Sequence, residues 1–153
     1  MHRLLTEMSP DRLAEIYRAL PDAVRNALDG PIASSLNSRP ASVRKRPEEL
    51  KLKALRAYFV RKRDDDVAGD LLRAYLLGPR KELVTGFLDA TGVPHEDGQI
   101  EGDEQPDPKK LPDALKAARE AHGDADVDLY LEIARRQWPE LDGLQASTDP
   151  AGA

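Results

Sequence analysis

The 153-residue chain reads as an all-α protein. Three observations predict this. Apolar residues recur at helical spacing in stripe after stripe, helix start and stop residues bracket those stripes, and no stretch alternates with period two over enough β-branched residues to make a strand. The expected architecture is a single domain over 1–142, a helical bundle or short helical array of six to seven helices. The Pro-rich loop at 30–47 is its one candidate internal boundary, and a disordered tail, "GLQASTDPAGA", is expected at 143–153.

The elements follow in order. Ser9-Pro10-Asp11 supplies a hydroxyl cap, a proline whose missing N–H costs nothing, and an acid at the positive end of the helix dipole. Leu13, Ile16, Tyr17 and Leu20 then share one face. Pro21-Asp22 restarts the pattern through Val24 and Leu28, and Gly30-Pro31 is expected to end it. Three prolines between 30 and 47 predict a loop or a chain of turns, with one helical turn near Ile32 to Leu36. A long helix runs from Pro47-Glu48-Glu49 to about Arg63. Asp64-Asp65-Asp66 caps the next, whose stripe is Val67, Leu71, Leu72, Tyr75 and Leu76. Gly78 stops it, Pro79 opens another carrying Leu83, Val84, Phe87 and Leu88, and Gly92 with Pro94 closes that one. After a polar loop, Leu111, Leu115 and Ala118 mark a helix ended by Gly123. Asp124 or Asp126 then caps a last helix with Val127, Tyr130, Leu131, Ala134 and Trp138. Leu55, Phe59, Leu72, Tyr75, Leu83, Phe87, Leu131 and Trp138 are the expected core.

The tetrapeptide Leu-Arg-Ala-Tyr occurs twice, in "LRAYFVRKR" from Leu55 and in "LRAYLLGPRK" from Leu72. At about 100° per residue, Leu and Tyr three apart share a face while the arginine points aside or outward. A spacing of one helix and a turn is too short for the known helix-pair repeats, whose periods are roughly 33–47 residues. The shared motif is a packing device.

Composition narrows the chemistry. The absence of cysteine excludes a thiol nucleophile, a redox pair and Cys-based metal sites. No apolar run approaches the roughly 18 residues of a membrane span, so no membrane role is expected. The N-terminus turns acidic too early for a secretory signal, and the cytoplasm is the default location. The formal net charge is −5, but it is unevenly spread. Residues 39–63 hold ten basic and two acidic side chains, whereas 83–108 hold seven acids and no Lys or Arg. Arg44, Lys45, Arg46, Arg61, Lys62 and Arg63 are therefore the candidate interaction residues. They suit an acidic protein partner or a second copy of the chain.

Nucleic acid is the disfavoured alternative. The basic side chains of 48–63 point in different directions, whereas a phosphate-tracking helix collects them on one side. A helix-turn-helix reading of 48–90 fails on its third helix, whose centre offers Thr85, Gly86 and Asp89 to base edges. Of three histidines, His2 is expected to be mobile and His122 to answer carbonyls at a helix end. His95 alone has acidic company, and with Asp97 and Asp89 it forms the weak metal candidate. The spacing matches neither a calcium loop nor a helical zinc site, and an ordered turn with solvated acids is the expected structure. No catalytic constellation, cofactor or small molecule is indicated. The expected function is a helical protein-interaction or regulatory module. The alternatives are a nucleic-acid-associated protein using 39–63, and an enzyme with a site near His95.

Overall fold

A computed structural model describes residues 1–141; the tail expected at 143–153 lies outside them. The chain divides into two compact units, the first ending at Pro79 and the second beginning at Arg80. The boundary thus lies at a helix-to-helix turn, and the 30–47 segment is interior to the first unit.

Unit 1 holds α1 (His2–Glu7), α2 (Pro10–Ala19), α3 (Asp22–Ala27), α4 (Asp29–Leu36), α5 (Pro40–Val43), α6 (Glu48–Lys62) and α7 (Asp65–Leu77). Unit 2 holds α8 (Lys81–Thr91), a hairpin of β1 (His95–Glu96) and β2 (Gln99–Ile100), α9 (Leu111–His122) and α10 (Asp124–Ala134). The all-α expectation stands, since the strands contribute two residues each. Seven of the described helices have eight residues or more, in line with the expected six to seven. The short α1, α3 and α5 add to them.

The caps form as the sequence implies. Ser9 Oγ accepts the Arg12 N–H at 3.1 Å. Asp64 Oδ1 accepts the Val67 N–H at 3.0 Å, and its other oxygen accepts the Tyr58 hydroxyl at 2.6 Å. The Tyr58 bond, followed by the Val67 amide, holds the Asp64 carboxyl below its ordinary value, because both favour the charged form. Gly78 ends α7 where no side chain fits: a Cβ there would lie 2.7 Å from the Ala74 carbonyl oxygen.

Three expectations need correction. Gly30-Pro31 does not stop a helix but lies in the first turn of α4. The first four N–H groups of a helix have no internal partner, so proline's missing donor costs nothing there. His2 is not mobile. Its backbone N–H and its ring Nδ1 both meet Asp65 Oδ1, at 2.8 and 2.6 Å, which pins α1 to the start of α7. These two contacts, backbone first, depress the Asp65 carboxyl. Trp138 lies beyond α10, which ends at Ala134, although its side chain is buried.

Packing in unit 1 centres on α6, against which α1, α2 and α4 lie. Leu5, Ile32, Leu55, Phe59 and Tyr75 are fully buried. Arg12 stacks its guanidinium 5.8 Å from the Tyr75 ring centre. Arg56 was expected to point aside, and it does so to a purpose. Its guanidinium donates to the Thr6 carbonyl at 2.5 and 3.1 Å and to the Met8 carbonyl at 2.8 Å. It thereby answers carbonyls that the end of α1 leaves unpaired. Arg56→Lys, which keeps the charge but loses the fork, should release α1. Hydrogen exchange of the α1 amides should then accelerate at least tenfold while α8 and α9 keep their protection; unchanged α1 exchange would show that Arg56 does not hold it.

In unit 2, α8 and α10 each pack on α9 or its neighbours, with α9 in contact with both. Phe87 meets Tyr130 edge to face, with ring centres 5.3 Å apart and planes at 75°. Arg119 joins the end of α9 to α10 through Asp124 at 3.0 Å and Asp128 at 2.7 Å. Arg80, ahead of α8, reaches the buried Asp126 of α10 at 2.6 Å. Asp126 is therefore an ion-pair partner and not a cap. The eight expected core residues are all buried, four in each unit.

Candidate interaction surface

The two units differ in charge. Residues 1–79 carry fifteen Lys and Arg against eleven Asp and Glu, a net of +4. Residues 80–153 carry eight against seventeen, a net of −9. The basic stretch 39–63 belongs wholly to unit 1 and the acidic stretch 83–108 wholly to unit 2.

Within 39–63, four of the ten cations are engaged, and only one of those by an acid. Arg44 Nε lies 3.3 Å from Asp29 Oδ2. Lys51 reaches the Arg44 carbonyl at 3.4 Å, Arg61 the Ser34 carbonyl at 3.3 Å, and Arg56 the end of α1. The other six, Arg39, Lys45, Arg46, Lys53, Lys62 and Arg63, are exposed and make no side-chain hydrogen bond or ion pair among the described residues. Of the two acids in the stretch, Glu48 is taken by Arg18 of α2 at 2.6 Å. Carboxylates of unit 1 therefore neutralise little of this segment.

Local structure sets where these cations stand. Pro40 opens α5, and the turn that follows presents Arg44, Lys45 and Arg46 before Pro47 starts α6. At the far end of α6, Arg63 takes a left-handed conformation (φ 51°) that ends the helix and exposes the Arg61-Lys62-Arg63 cluster. Fifteen residues at about 1.5 Å each put the clusters roughly 22 Å apart along the helix axis. The candidate residues thus form two patches joined by α6. The exposed Lys53 and Val60 lie between them; Val60, 60% exposed, is the one large apolar side chain among the described residues left so open. A groove of about 480 Å³ also runs between α2 and α6 over Leu13, Ala14 and Leu52. Its rim carries three acids, Asp11, Glu48 and Glu49, against three cations, Arg18, Lys53 and Arg56, so it adds no net basic character.

The acidic candidates assemble differently. The β1–β2 hairpin turns at Asp97-Gly98, both with positive φ (52° and 88°), the conformation that two-residue hairpin turns require. His95 locks this turn. Its Nδ1 accepts the Gly98 N–H at 3.1 Å, which makes Nε2 the protonated nitrogen, and Nε2–H donates to Asp89 Oδ1 of α8 at 2.7 Å. Asp97 turns instead to Lys81, with Nζ to Oδ1 at 2.8 Å, and that bond holds its carboxyl below the ordinary value. His95 and Asp89 are brought together, but Asp97 is directed elsewhere. Among the described residues no three His, Asp or Glu side chains meet as a cation would need. The geometry makes His95 the pin of a hairpin. The Asp-Gly pair was the sequence signal for that hairpin, and strands of two residues are too short for period-two patterning to show.

No protein-family model, no curated protein and no solved structure matches the chain. Among the described residues no helix is long and apolar enough to cross a membrane.

Proposed function

We propose that the chain is a helical interaction module whose unit 1 docks an acidic polypeptide on the cations flanking α6. The observation that carries this reading is the set of six exposed basic side chains in 39–63 without partners among the described residues. Exposed like charges gathered in one segment repel one another, and an oppositely charged partner relieves that repulsion and speeds encounter. Two patches about a helix length apart, with an exposed valine and lysine between them, suit an extended acidic segment that contacts both. Nucleic acid is the weaker reading, because the exposed cations other than Lys53 gather beyond or at the two ends of α6 and no stripe follows a phosphate backbone.

The test is NMR mapping with a defined glutamate-rich peptide. Added to the full chain, it should shift amide signals at 39–46 and 60–63. Replacing Lys45, Arg46 and Lys62 with Glu should weaken binding at least tenfold. Exposed residues without partners tolerate such changes within about 0.5 kcal/mol of stability, so the fold should persist. Shifts confined to other residues, or binding unaffected by the triple replacement, would overturn the proposal.

A further inference from the structure

A second, smaller recess lies in unit 1, apart from the exposed cations. It measures about 200 Å³ and is walled by α2, α3, α4, α6 and the turn before α6. Two buried polar side chains line it. Asp29, 6% exposed, has one side-chain partner among the described residues, the single 3.3 Å contact from Arg44, whose side chain is itself 68% exposed. A carboxylate offers about four acceptor positions, so most of the capacity of Asp29 is unused. Tyr17, 5% exposed, makes no side-chain hydrogen bond among the described residues, and its hydroxyl opens to solvent. Burial first, and then the charge of Asp29, raises the Tyr17 phenol, so it stays a proton donor at neutral pH. Two largely buried residues therefore present a donor and an acceptor to one recess, with hydrogen-bonding capacity that no protein group among the described residues takes up.

Charge and size select the ligand. Around the recess stand three carboxylates, those of Asp22, Asp29 and Glu48, and three cations, those of Arg25, Arg44 and Lys51. Arg25 pairs with Asp22, Arg44 with Asp29 and Glu48 with Arg18 of α2, and Lys51 reaches the Arg44 carbonyl. A simple ion would break one such pair and leave its other member unanswered, whereas a molecule carrying both signs answers both members. The recess is below the roughly 300 Å³ at which pockets begin to accept drug-sized ligands. We propose that this recess binds a small zwitterion of the free amino-acid class. Its ammonium group sits on Asp29, and its carboxylate meets the Tyr17 hydroxyl and the flanking Arg25 and Lys51. The inference stands apart from acidic-peptide docking, since neither Tyr17 nor Asp29 belongs to the exposed cation set.

Titration of the full chain with glycine, L-serine and γ-aminobutyrate, followed by amide NMR, tests it. Methylammonium, acetate and inorganic phosphate serve as single-sign probes. At least one zwitterion should saturably shift signals near Tyr17, Asn26 and Asp29, and should bind at least tenfold more tightly than any single-sign probe. Tyr17→Phe removes only a hydroxyl without an internal partner, so it should leave the fold intact and weaken binding about tenfold. Asp29→Asn should abolish the ammonium contact. Phosphate or methylammonium binding as tightly as the zwitterions would overturn the proposal. So would saturation by none of the probes below about 10 mM, weaker than even the millimolar range, or unchanged binding by Tyr17→Phe.

Discussion

Phe87→Ala is expected to lower the unfolding free energy of unit 2 by about 3–5 kcal/mol. The side chain is 2% exposed, on the face of α8 that also buries Leu83, Val84 and Leu88. Truncation removes the ring from the core and leaves a cavity that the surrounding helices fill only in part. It also breaks the edge-to-face pair with Tyr130, a contact worth about 0.5–1.5 kcal/mol beyond burial. Tyr130 is itself buried, and that burial raises its phenol well above the ordinary range. Phe87→Leu keeps most of the volume and should cost about 1.5 kcal/mol or less. The measurement is well placed: Trp138, the one tryptophan of the chain, is buried in unit 2, so its fluorescence in a denaturant titration reports this unit. A loss below about 1 kcal/mol for Phe87→Ala would mean that Phe87 does not anchor this core.

Arg80→Ala should be nearly as damaging, at about 3–5 kcal/mol. Its Nε lies 2.6 Å from Asp126 Oδ2, and Asp126 is only 6% exposed. Removing the guanidinium leaves a carboxylate in a poorly solvated place, and the cost is that of stranding a charge. The value of the pair itself is smaller, because two desolvated charges repay each other only in part. The diagnostic is the double variant Arg80→Ala with Asp126→Asn. It should be less destabilised than the two single losses combined, by a coupling of at least about 1 kcal/mol. Simple additivity would show that the two side chains do not act together.

These two residues also mark what the sequence makes legible. Phe87 is readable because α8 places Leu83, Val84, Phe87 and Leu88 at helical spacing, and burial follows directly from that pattern. Local start signals work equally well at Ser9 and Asp64. Arg80–Asp126 is not readable, since 46 residues of chain separate its members. The same holds for the clamp of Arg56 on α1, the anchoring of His2 by Asp65, and the meeting of Tyr17 with Asp29. Each depends on which helices pack together, and periodicity alone does not fix that. Gly30-Pro31 shows a different limit. The same dipeptide can end a helix or open one, and the following Ile32, Ala33 and Leu36 decide for opening. For the candidate surface, composition located the cations of 39–63. Only the fold separates Arg44, Arg56 and Arg61, which have partners, from Lys45, Arg46, Lys62 and Arg63, which make none among the described residues.

The central claim is that these cations serve an acidic polypeptide in preference to nucleic acid. The most direct measurement is competition in a single fluorescence-anisotropy experiment at about 0.15 M salt, where nonspecific protein–DNA affinities lie near 10⁻⁴ to 10⁻⁶ M. A labelled glutamate-rich peptide is bound to the full chain, and unlabelled peptide or single-stranded DNA of equal charge is added. The account predicts that the peptide displaces the label at a concentration at least tenfold lower than the DNA. It also predicts that replacing Lys45, Arg46 and Lys62 with Glu weakens peptide binding at least tenfold. Displacement by DNA at the lower concentration, or sub-micromolar DNA binding that those replacements remove, would contradict it.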